Sequence, residues 1–377
     1  MTMLESYIVE QNIESKTISW LRFVMAALVV ILHAKDWFYP SGEYIYYNLI
    51  RIVVSDGVCR LAVPTFFLIS GYLYYKNIHK FSSIYDFWKN QNLKRIKSLL
   101  IPYLLWNIIG IVLFVSSVFI LQGVDAALDF CENRGWHMML WNNNRIGENL
   151  NDNINILGLL MHGSVPINGP LWFIRDLFIL NILSPLIYYV VKKMGGYWLF
   201  LMSIFYIFNI WIPFEGFSAS GFYFFSLGCF LQLKNKMLHN AFANYYKYIG
   251  LISFILFAFM VFMYNESLMY SKILLRAFTV FGSLFLLYVV SVGIKHNKLK
   301  VYTKLNDSSF FIFALHMLII PSIIIRVFNF ILPFENEMIF ILKYIGASFV
   351  DILACILIFY VCKMHFPKVT SILSGGR

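Results

Sequence analysis

The stretch LRFVMAALVVILH, residues 21–33, carries Arg22 and His33 near the two ends of an otherwise apolar run. An α-helix turns about 100° per residue, so eleven residue steps return His33 to within about 20° of the direction of Arg22. The rise of about 1.5 Å per residue separates the two side chains by roughly 16 Å along the helix axis. The stretch therefore predicts an apolar helix that presents two basic groups on one face, one near each end.

The composition of the chain is that of a membrane protein. Of its residues, 60% are hydrophobic and 13% are charged, whereas soluble domains have about 25% charged residues. The mean hydropathy of +0.71 indicates more apolar surface than a single polar, water-facing surface layer could cover. The net charge of +11 does not indicate nucleic-acid binding, because the basic residues form no single patch. We therefore predict an all-α, polytopic membrane protein that binds no nucleic acid.

Ten apolar runs are long enough, or nearly so, to cross a bilayer as helices, which takes about 20 residues. They cover residues 18–34, 58–75, 98–121, 171–191, 197–211, 222–233, 248–264, 273–294, 310–330 and 338–361. The fifth and sixth runs are shorter than the others and are expected to form a helical hairpin. The residues before Lys35 form a poor cleavage site for a leader peptide, and we expect the first helix to be retained.

The distribution of lysine and arginine predicts the direction of these helices. With the N-terminus in the cytoplasm, nineteen of these residues fall in cytoplasmic segments and six in outer segments. Cytoplasmic loops of membrane proteins carry this excess. We therefore expect both termini in the cytoplasm and a multi-pass protein of the inner or plasma membrane. We also expect a single membrane domain over residues 1–377 with no appended soluble domain.

The longest interruption of the apolar pattern, residues 122–170, is predicted to face outward. A loop of this length is uncommon unless it is functional. It contains Trp136, His137 and Trp141 and the asparagine-rich stretch WNNNRIGENLNDN, residues 141–153. Indole rings and amides suit a carbohydrate ligand, although a merely solvated loop explains them equally well. INILGLLMHG, residues 154–163, predicts a short interfacial helix.

The five cysteines have no spacing typical of metal ligands or of a redox pair. Three of them lie in apolar runs, where a small hydrophobic residue is the simplest interpretation. Cys59 and Cys131 fall on the predicted outer side, and a disulfide between them is left open. We predict no metal site.

A few ionisable residues lie inside or beside the apolar runs, where such groups are costly and usually face a cavity or a partner. They are Arg22, His33, Arg175, Asp176, Arg276, His316, Arg326 and Asp351. Arg276 and Arg326 lie near helix ends, from which long side chains reach the interface. Asp351 is expected to pair with an arginine. The two histidines are candidates for a general base near neutral pH, and hydrogen-bonded packing is the alternative for each.

Five separated stretches resemble one protein family in their character and in their order along the chain. Besides residues 21–33, they are VPTFFLISGYLYY (63–75), LKRIKSLLIPYLLW (93–106), GPLWFIRDLFIL (169–180) and SSFFIFALHMLII (308–320). Together they resemble the acyltransferase-3 family of integral membrane acyltransferases, whose first helix carries Arg or Lys, ten residues and then His. Lys97 departs from the family pattern, which often has arginine there, because lysine cannot grip a phosphate with two parallel hydrogen bonds. Some members also carry an extracytoplasmic SGNH-type domain, which we do not expect here.

The resemblance implies transfer of an acyl group, usually acetyl, from cytoplasmic acetyl-CoA to a hydroxyl of a cell-envelope or extracellular saccharide. The acyl-CoA is then a donor substrate and no cofactor stays bound. The resemblance implies donor binding by a basic mouth and by the inner ends of the first two helices. These candidate residues are Arg22, Ser70, Gly71, Lys94, Arg95 and Lys97. Gly71 is included because a residue without a side chain allows close approach.

On the acceptor side, His33 is the candidate base or acyl carrier, and Arg22 and His33 together are the candidate catalytic residues. The candidate acceptor-binding residues are Trp172, Arg175, Asp176 and His316. Trp172 and Arg175 are three residues apart and are expected to share a helix face. The expected partners are acyl-CoA, a glycan or glycolipid acceptor and the bilayer. The sequence predicts no oligomeric state and does not name the acceptor or the acyl group.

A polytopic secondary transporter or flippase for a saccharide or small anion is the alternative. Arg22, Asp176, His316 and Asp351 would then form the substrate or proton pathway. Transporters of this kind show inverted repeats and matched broken helices, and the sequence indicates neither. A structural or sensory membrane protein leaves the pairing of Arg22 with His33 unexplained.

Overall fold

The protein is built almost entirely from helices. The computed structural model describes residues 3–376 except 39, 41, 43, 135, 142–153, 157–158, 162–164 and 212–215. The first nine helices are α1 (Met3–Ala34), α2 (Ile45–Val54), α3 (Ala62–Tyr75), α4 (Ile84–Arg95), α5 (Ile101–Gln122), α6 (Val124–Arg134), α7 (Trp136–Trp141), α8 (Trp172–Ile182) and α9 (Ser184–Met194). The others are α10 (Gly196–Phe208), α11 (Ala219–Leu233), α12 (Tyr246–Glu266), α13 (Leu268–Lys295), α14 (Thr303–Leu315), α15 (Ile320–Ile331), α16 (Glu337–His365) and α17 (Pro367–Leu373).

Six helical segments are long and apolar enough to cross a membrane, and counting two bent helix pairs as single spans raises the number to eight among the described residues. The six are Ile8–Ala34, Ile45–Lys80, Ile84–Gln122, Ala243–Glu266, Leu268–Lys295 and Glu337–His365. Helices α10 and α11 are apolar but shorter. The chain is therefore a polytopic membrane protein, whereas the count of ten spans and their direction stay predictions.

Two of the predicted continuous runs are bent. Helices α8 and α9 meet at 68°, and α14 and α15 meet at 87°. In each pair the second residue of the second helix is a proline, Pro185 in α9 and Pro321 in α15. Proline lacks the N–H that would continue the preceding helix, so the axis turns there. The apolar runs predicted over 171–191 and 310–330 are therefore each divided into two helices.

Helix α1 is longer than predicted, because it begins at Met3 and not near residue 18. The additional turns are held by Glu14, whose side chain is buried. Its carboxylate accepts hydrogen bonds from the Tyr72 hydroxyl at 2.7 Å, the Lys76 ammonium at 3.3 Å and the Leu238 backbone N–H at 2.9 Å. The polar segment before the apolar run thus packs on the bundle.

A π-helical turn, Ile96–Leu100, joins α4 to α5. Pro102 is the second residue of α5 and has no N–H to donate to the carbonyl of Ser98, so the regular α-helical ladder is interrupted there. Such turns shift the side chains that follow them and occur often at functional sites. This one separates Arg95, the last residue of α4, from the long apolar helix α5.

Two short strands, β1 (Ile154–Ile156) and β2 (Leu159–Met161), pair antiparallel with Ile154 opposite Met161. The interfacial helix predicted for residues 154–163 is therefore wrong, and the all-α description holds apart from this hairpin. The β-branched residues Ile154 and Ile156 favour an extended backbone. All five cysteines are free thiols, so Cys59 and Cys131 form no disulfide.

Candidate functional site

A narrow cavity of about 90 Å³ lies between helices α1, α3, α4, α8 and α14. Its polar lining consists of Arg22, Ser70, Arg95, Asn181 and Ser309. The rest of its wall is apolar and mostly aromatic or leucine-rich. Three residues predicted to bind the donor, Arg22, Ser70 and Arg95, therefore share one cavity although they come from three helices.

Two guanidinium groups give this cavity its charge. No carboxylate belongs to its described lining. The Arg95 guanidinium lies over the ring of Tyr74, 5.8 Å from its centroid. The Tyr74 hydroxyl accepts a hydrogen bond from Ser184 at 2.8 Å. Two guanidiniums in an apolar pocket are suited to phosphate oxygens, which they bind by charge-assisted hydrogen bonds.

Asn181 is a site residue that the sequence analysis missed. Its side chain is 1% exposed, and its Nδ2 has no hydrogen-bond partner among the described residues. Its backbone carbonyl accepts from the Tyr74 hydroxyl and from Asn92 Nδ2, both at 3.3 Å. A buried amide donor without a partner is costly unless a ligand satisfies it. An asparagine near the end of the apolar helix α8 was the available signal.

The other residues predicted to bind the donor lie outside the narrow cavity. Lys94 and Lys97 are exposed on either side of Arg95. Gly71 faces helix α11, where an added Cβ would overlap the backbone of Phe225. The matching Gly228 would in turn overlap the backbone of Tyr72. The close approach at Gly71 is therefore made by a neighbouring helix, as small residues allow in membrane proteins, and not by a substrate.

His33 and His316 pack against each other. Their ring centroids are 5.4 Å apart and their planes are inclined by 41°. His316 follows the end of α14 and is fully buried, and its Nδ1 lies 3.1 Å from the carbonyl oxygen of Ile312. That carbonyl can only accept, so Nδ1 carries the hydrogen in the neutral ring. The opposite nitrogen, Nε2, has no partner among the described residues.

His33 also lines a second, wide cavity of about 380 Å³. Trp172 lies in the same wall, as the prediction of an acceptor site requires. Three basic residues, Arg60, Lys272 and Arg276, line it as well. Arg276 was expected only to reach the membrane interface, but it points a guanidinium into this cavity wall and donates from Nη1 to the carbonyl of Ile207 at 3.2 Å.

Arg175 and Asp176 line neither cavity in the described part of the chain. Both side chains are buried, and Arg175 Nε and Nη2 donate to Asp176 Oδ1 at 3.2 Å. Arg175 Nη1 donates to the carbonyl of Trp141 at 2.7 Å, and its guanidinium lies 5.3 Å from the Trp141 ring centroid. The pair therefore holds the end of α7 against helix α8. Direct contact with an acceptor, which the sequence analysis expected, has no support from this geometry.

Two other sequence-based expectations concern residues away from these contacts. Asp351 is fully buried, and the Cys355 thiol lies 3.6 Å from its Oδ1. The arginine partner expected for Asp351 is absent among the described residues. The side chains of Trp136 and His137 lie outside the described residues.

Three phenylalanines of the narrow cavity pack together at the wall that it shares with the wide cavity. Phe313 lines both of them. Its ring lies 6.3 Å from that of Phe66 and 5.9 Å from that of Phe173, and the latter two are 5.6 Å apart. Phe313 also lies 6.3 Å from the His316 ring. We call Phe66, Phe173 and Phe313 the aromatic partition.

These features define a polytopic membrane protein with two cavities that contain basic residues and share Phe313, and with His33 in the wall of the wide cavity. The family model described as an acyltransferase domain matches residues 16–360. The chain therefore belongs to the acyltransferase-3 family, and the resemblance read from the five stretches is confirmed.

One relative is the succinoglycan biosynthesis protein ExoH of Rhizobium meliloti (strain 1021), which is 24% identical over 188 residues. That match covers 48% of this chain and 44% of the relative. The chain thus spans less than half the length of the curated relative it matches. The comparison with solved structures found no match.

Proposed function

We propose that this protein moves an acyl group, most simply acetyl, from cytoplasmic acyl-CoA to a hydroxyl of a cell-envelope or extracellular saccharide. The observation that carries the proposal is the division of helix α1 between two cavities. Arg22 lines the narrow cavity and His33 the wide one. One helix therefore offers a phosphate-binding group and a base to two substrates that approach from opposite ends.

The narrow cavity supports the donor half of the proposal. The phosphates of CoA are polyanionic, and Arg22 and Arg95 are two cations with no carboxylate among the described residues of the surrounding wall. The apolar remainder of the wall suits a thin pantetheine arm. Asn181 Nδ2, which has no partner in the described part of the chain, supplies a donor for an amide carbonyl of that arm. Lys94 and Lys97, exposed beside Arg95, would attract the anion to the mouth.

The histidine pair supports the transfer step. The hydrogen on His316 Nδ1 faces the Ile312 carbonyl, so its Nε2 is an acceptor directed away from that carbonyl. If His316 Nε2 accepts a hydrogen bond from one N–H of His33, the other ring nitrogen of His33 carries no hydrogen and can act as the base. That nitrogen takes the proton of the acceptor hydroxyl while the oxygen attacks the thioester carbonyl. The C–S bond then breaks, and the CoA thiolate leaves and receives the proton from His33.

The aromatic partition supports the proposal that one cavity binds the donor and the other binds the acceptor. A thioester that waits in a wet site is lost to hydrolysis, and exclusion of water prevents this side reaction. Phe313 belongs to both cavity walls and packs on Phe66 and Phe173 of the narrow cavity, so apolar rings cover the boundary between the two. Only the acyl end of the donor needs to pass them.

The proposed setting is the plasma membrane, with both termini and the Lys94–Lys97 mouth in the cytoplasm. The excess of lysine and arginine in the segments assigned to that side supports this direction. The acceptor is then a glycan or glycolipid on the opposite side. The name of the relative, a succinoglycan biosynthesis protein, agrees with a saccharide acceptor.

The test is reconstitution in nanodiscs with acetyl-CoA labelled in the acetyl group, followed by mass spectrometry of added cell-envelope oligosaccharides. We expect an acyl mass increment on the saccharide and release of free CoA. His33→Gln serves as the inactive control.

A secondary transporter is the second candidate, and the two bent helix pairs favour it because broken helices are typical of such proteins. Reconstitution into sealed liposomes separates the two. Saccharide that crosses the bilayer without a change in mass would support transport and contradict the enzyme.

A further inference from the structure

The wide cavity beside His33 is strongly basic. Arg60, Lys272 and Arg276 all contribute to its wall, and no acidic side chain does so among the described lining residues. The histidine ring and the Trp172 indole belong to the same wall. An acceptor that enters this cavity to reach His33 therefore meets three cations.

The carboxylate that pairs with Arg60 is shared with a second cation and does not neutralise the charge of the cavity. Asp56 Oδ1 accepts from Lys35 Nζ at 2.6 Å and from Arg60 Nη2 at 3.2 Å. Its Oδ2 accepts from the Tyr264 hydroxyl at 3.1 Å. One carboxylate thus serves two cations, so an excess positive charge remains on the Arg60 side of the cavity.

Arg276 and Lys272 have no carboxylate partner in the described part of the chain. The one protein acceptor of the Arg276 guanidinium in that part is the neutral carbonyl of Ile207. A half-buried guanidinium in a membrane protein is costly unless an anion or a cavity accommodates it. Guanidinium groups match carboxylates and phosphates with paired hydrogen bonds, whereas neutral sugar hydroxyls do not need a charged partner.

We propose that the acceptor saccharide is anionic and carries a carboxylate or phosphate close to the hydroxyl that is acylated. Arg60, Lys272 and Arg276 bind the anionic group, and the Trp172 indole covers the apolar face of a sugar ring. This proposal rests on the proposed function, since it names the class of acceptor for the same site. A carboxylate could also come from the acyl group, because a succinyl donor carries one at its end. We assign the anionic group to the acceptor and not to the acyl group.

The experiment compares two saccharides that differ only in charge. Oligosaccharides that contain uronic acid are used as such and after reduction of their carboxyl groups to alcohols, which keeps the ring hydroxyls. Binding to the protein in nanodiscs is measured by calorimetry, and transfer is measured separately with labelled acetyl-CoA and with labelled succinyl-CoA.

We expect the acidic oligosaccharide to bind at least about tenfold more tightly than its reduced form, as one charge-assisted contact implies. Arg276→Gln should reduce that ratio toward one. Lys272 is exposed, so Lys272→Gln offers a second variant that does not disturb folding. Lys236→Gln, at an exposed lysine far along the chain in the α11–α12 connection, is the matched control and should keep the ratio.

Equal binding of the acidic and reduced oligosaccharides would overturn this inference. The inference would also be overturned if Arg276→Gln reduced transfer from succinyl-CoA but not transfer from acetyl-CoA, because Arg276 would then bind the acyl group and not the acceptor. Tight, arginine-dependent binding without transfer of label from either donor would instead count against the proposed function, and the inference about an acceptor would be overturned with it. A preference for the acidic form together with transfer of acetyl to it would support both.

Discussion

The rings of His33 and His316 lie 5.4 Å apart, although one belongs to the first helix and the other follows the fourteenth. His33 faces the wide cavity, whereas His316 is fully buried behind it. Because the Ile312 carbonyl orients His316, the buried His316 ring is placed to orient the half-buried His33 ring. The base of the proposed reaction is therefore a pair in which the two rings have different roles.

The first prediction separates these roles. His33→Gln cannot take up a proton and should lower kcat by about 10² to 10⁴, the usual loss for a general base. His316→Gln removes only the ring that orients His33. It should therefore lower kcat less than His33→Gln does, and it should shift the pH profile of kcat. Transfer rates measured between pH 5 and 9 with protein of equal yield provide the check. Near-normal turnover by well-folded His33→Gln would refute the base assignment.

The second prediction concerns the cations at the donor end. Arg95 lines the narrow cavity, whereas Lys94 and Lys97 are exposed. Arg95→Gln should therefore raise the KM for acyl-CoA by about tenfold or more, the equivalent of a charged hydrogen bond. Lys94→Gln and Lys97→Gln should act mainly through long-range attraction, so their smaller effects should disappear at high salt. Equal effects of all three changes at high salt would contradict the geometry.

The third prediction follows from Arg22. Arg22→Lys keeps the charge but loses the planar fork, so it should keep some activity with a raised KM for the donor. Arg22→Ala should lose nearly all activity. The measurement is donor saturation in nanodiscs, with insertion checked by membrane yield. An unchanged KM for the donor in the Arg22→Ala variant would show that Arg22 does not bind the donor.

The fourth prediction concerns the aromatic partition. Phe313→Ala should raise the rate of acyl-CoA hydrolysis relative to transfer, because water gains access to the thioester. Phe311 is the matched control, since it is buried against Trp106 and Phe359 and lines neither cavity among the described residues. Phe311→Ala should cost about 3–5 kcal/mol of stability and leave the ratio of hydrolysis to transfer unchanged. A change in that ratio in both variants would indicate general loosening.

The fifth prediction separates Trp172 from Arg175, which are three residues apart on one helix. Trp172→Ala should reduce transfer to the saccharide more than hydrolysis of the donor, because only the acceptor loses a contact. Arg175→Gln leaves the buried Asp176 without its cation and should cost about 3–5 kcal/mol of stability. Thermal unfolding in detergent and the two rates together test this. If Trp172→Ala lowered both rates equally, a packing role would explain the indole better.

Short-range patterns were sufficient for several conclusions. The composition and the apolar runs indicated a polytopic membrane protein because an unbroken apolar segment has no other stable environment. The spacing of Arg22 and His33 predicted their common helix, since helical geometry follows from local backbone hydrogen bonds. The five motifs predicted the family, which the match over residues 16–360 confirms.

Only the tertiary structure decided which side chains meet. His33 and His316 are far apart in the chain, and no local pattern specifies that α1 packs on α14. The same packing turned Gly71 toward α11, Arg175 toward Trp141 and Arg95 away from its lysine neighbours. Local sequence determines the conformation and polarity of each helix, whereas the faces that meet depend on the fit of all helices together. The cationic cavity beside His33, which suggests the charge of the acceptor, is a consequence of that fit.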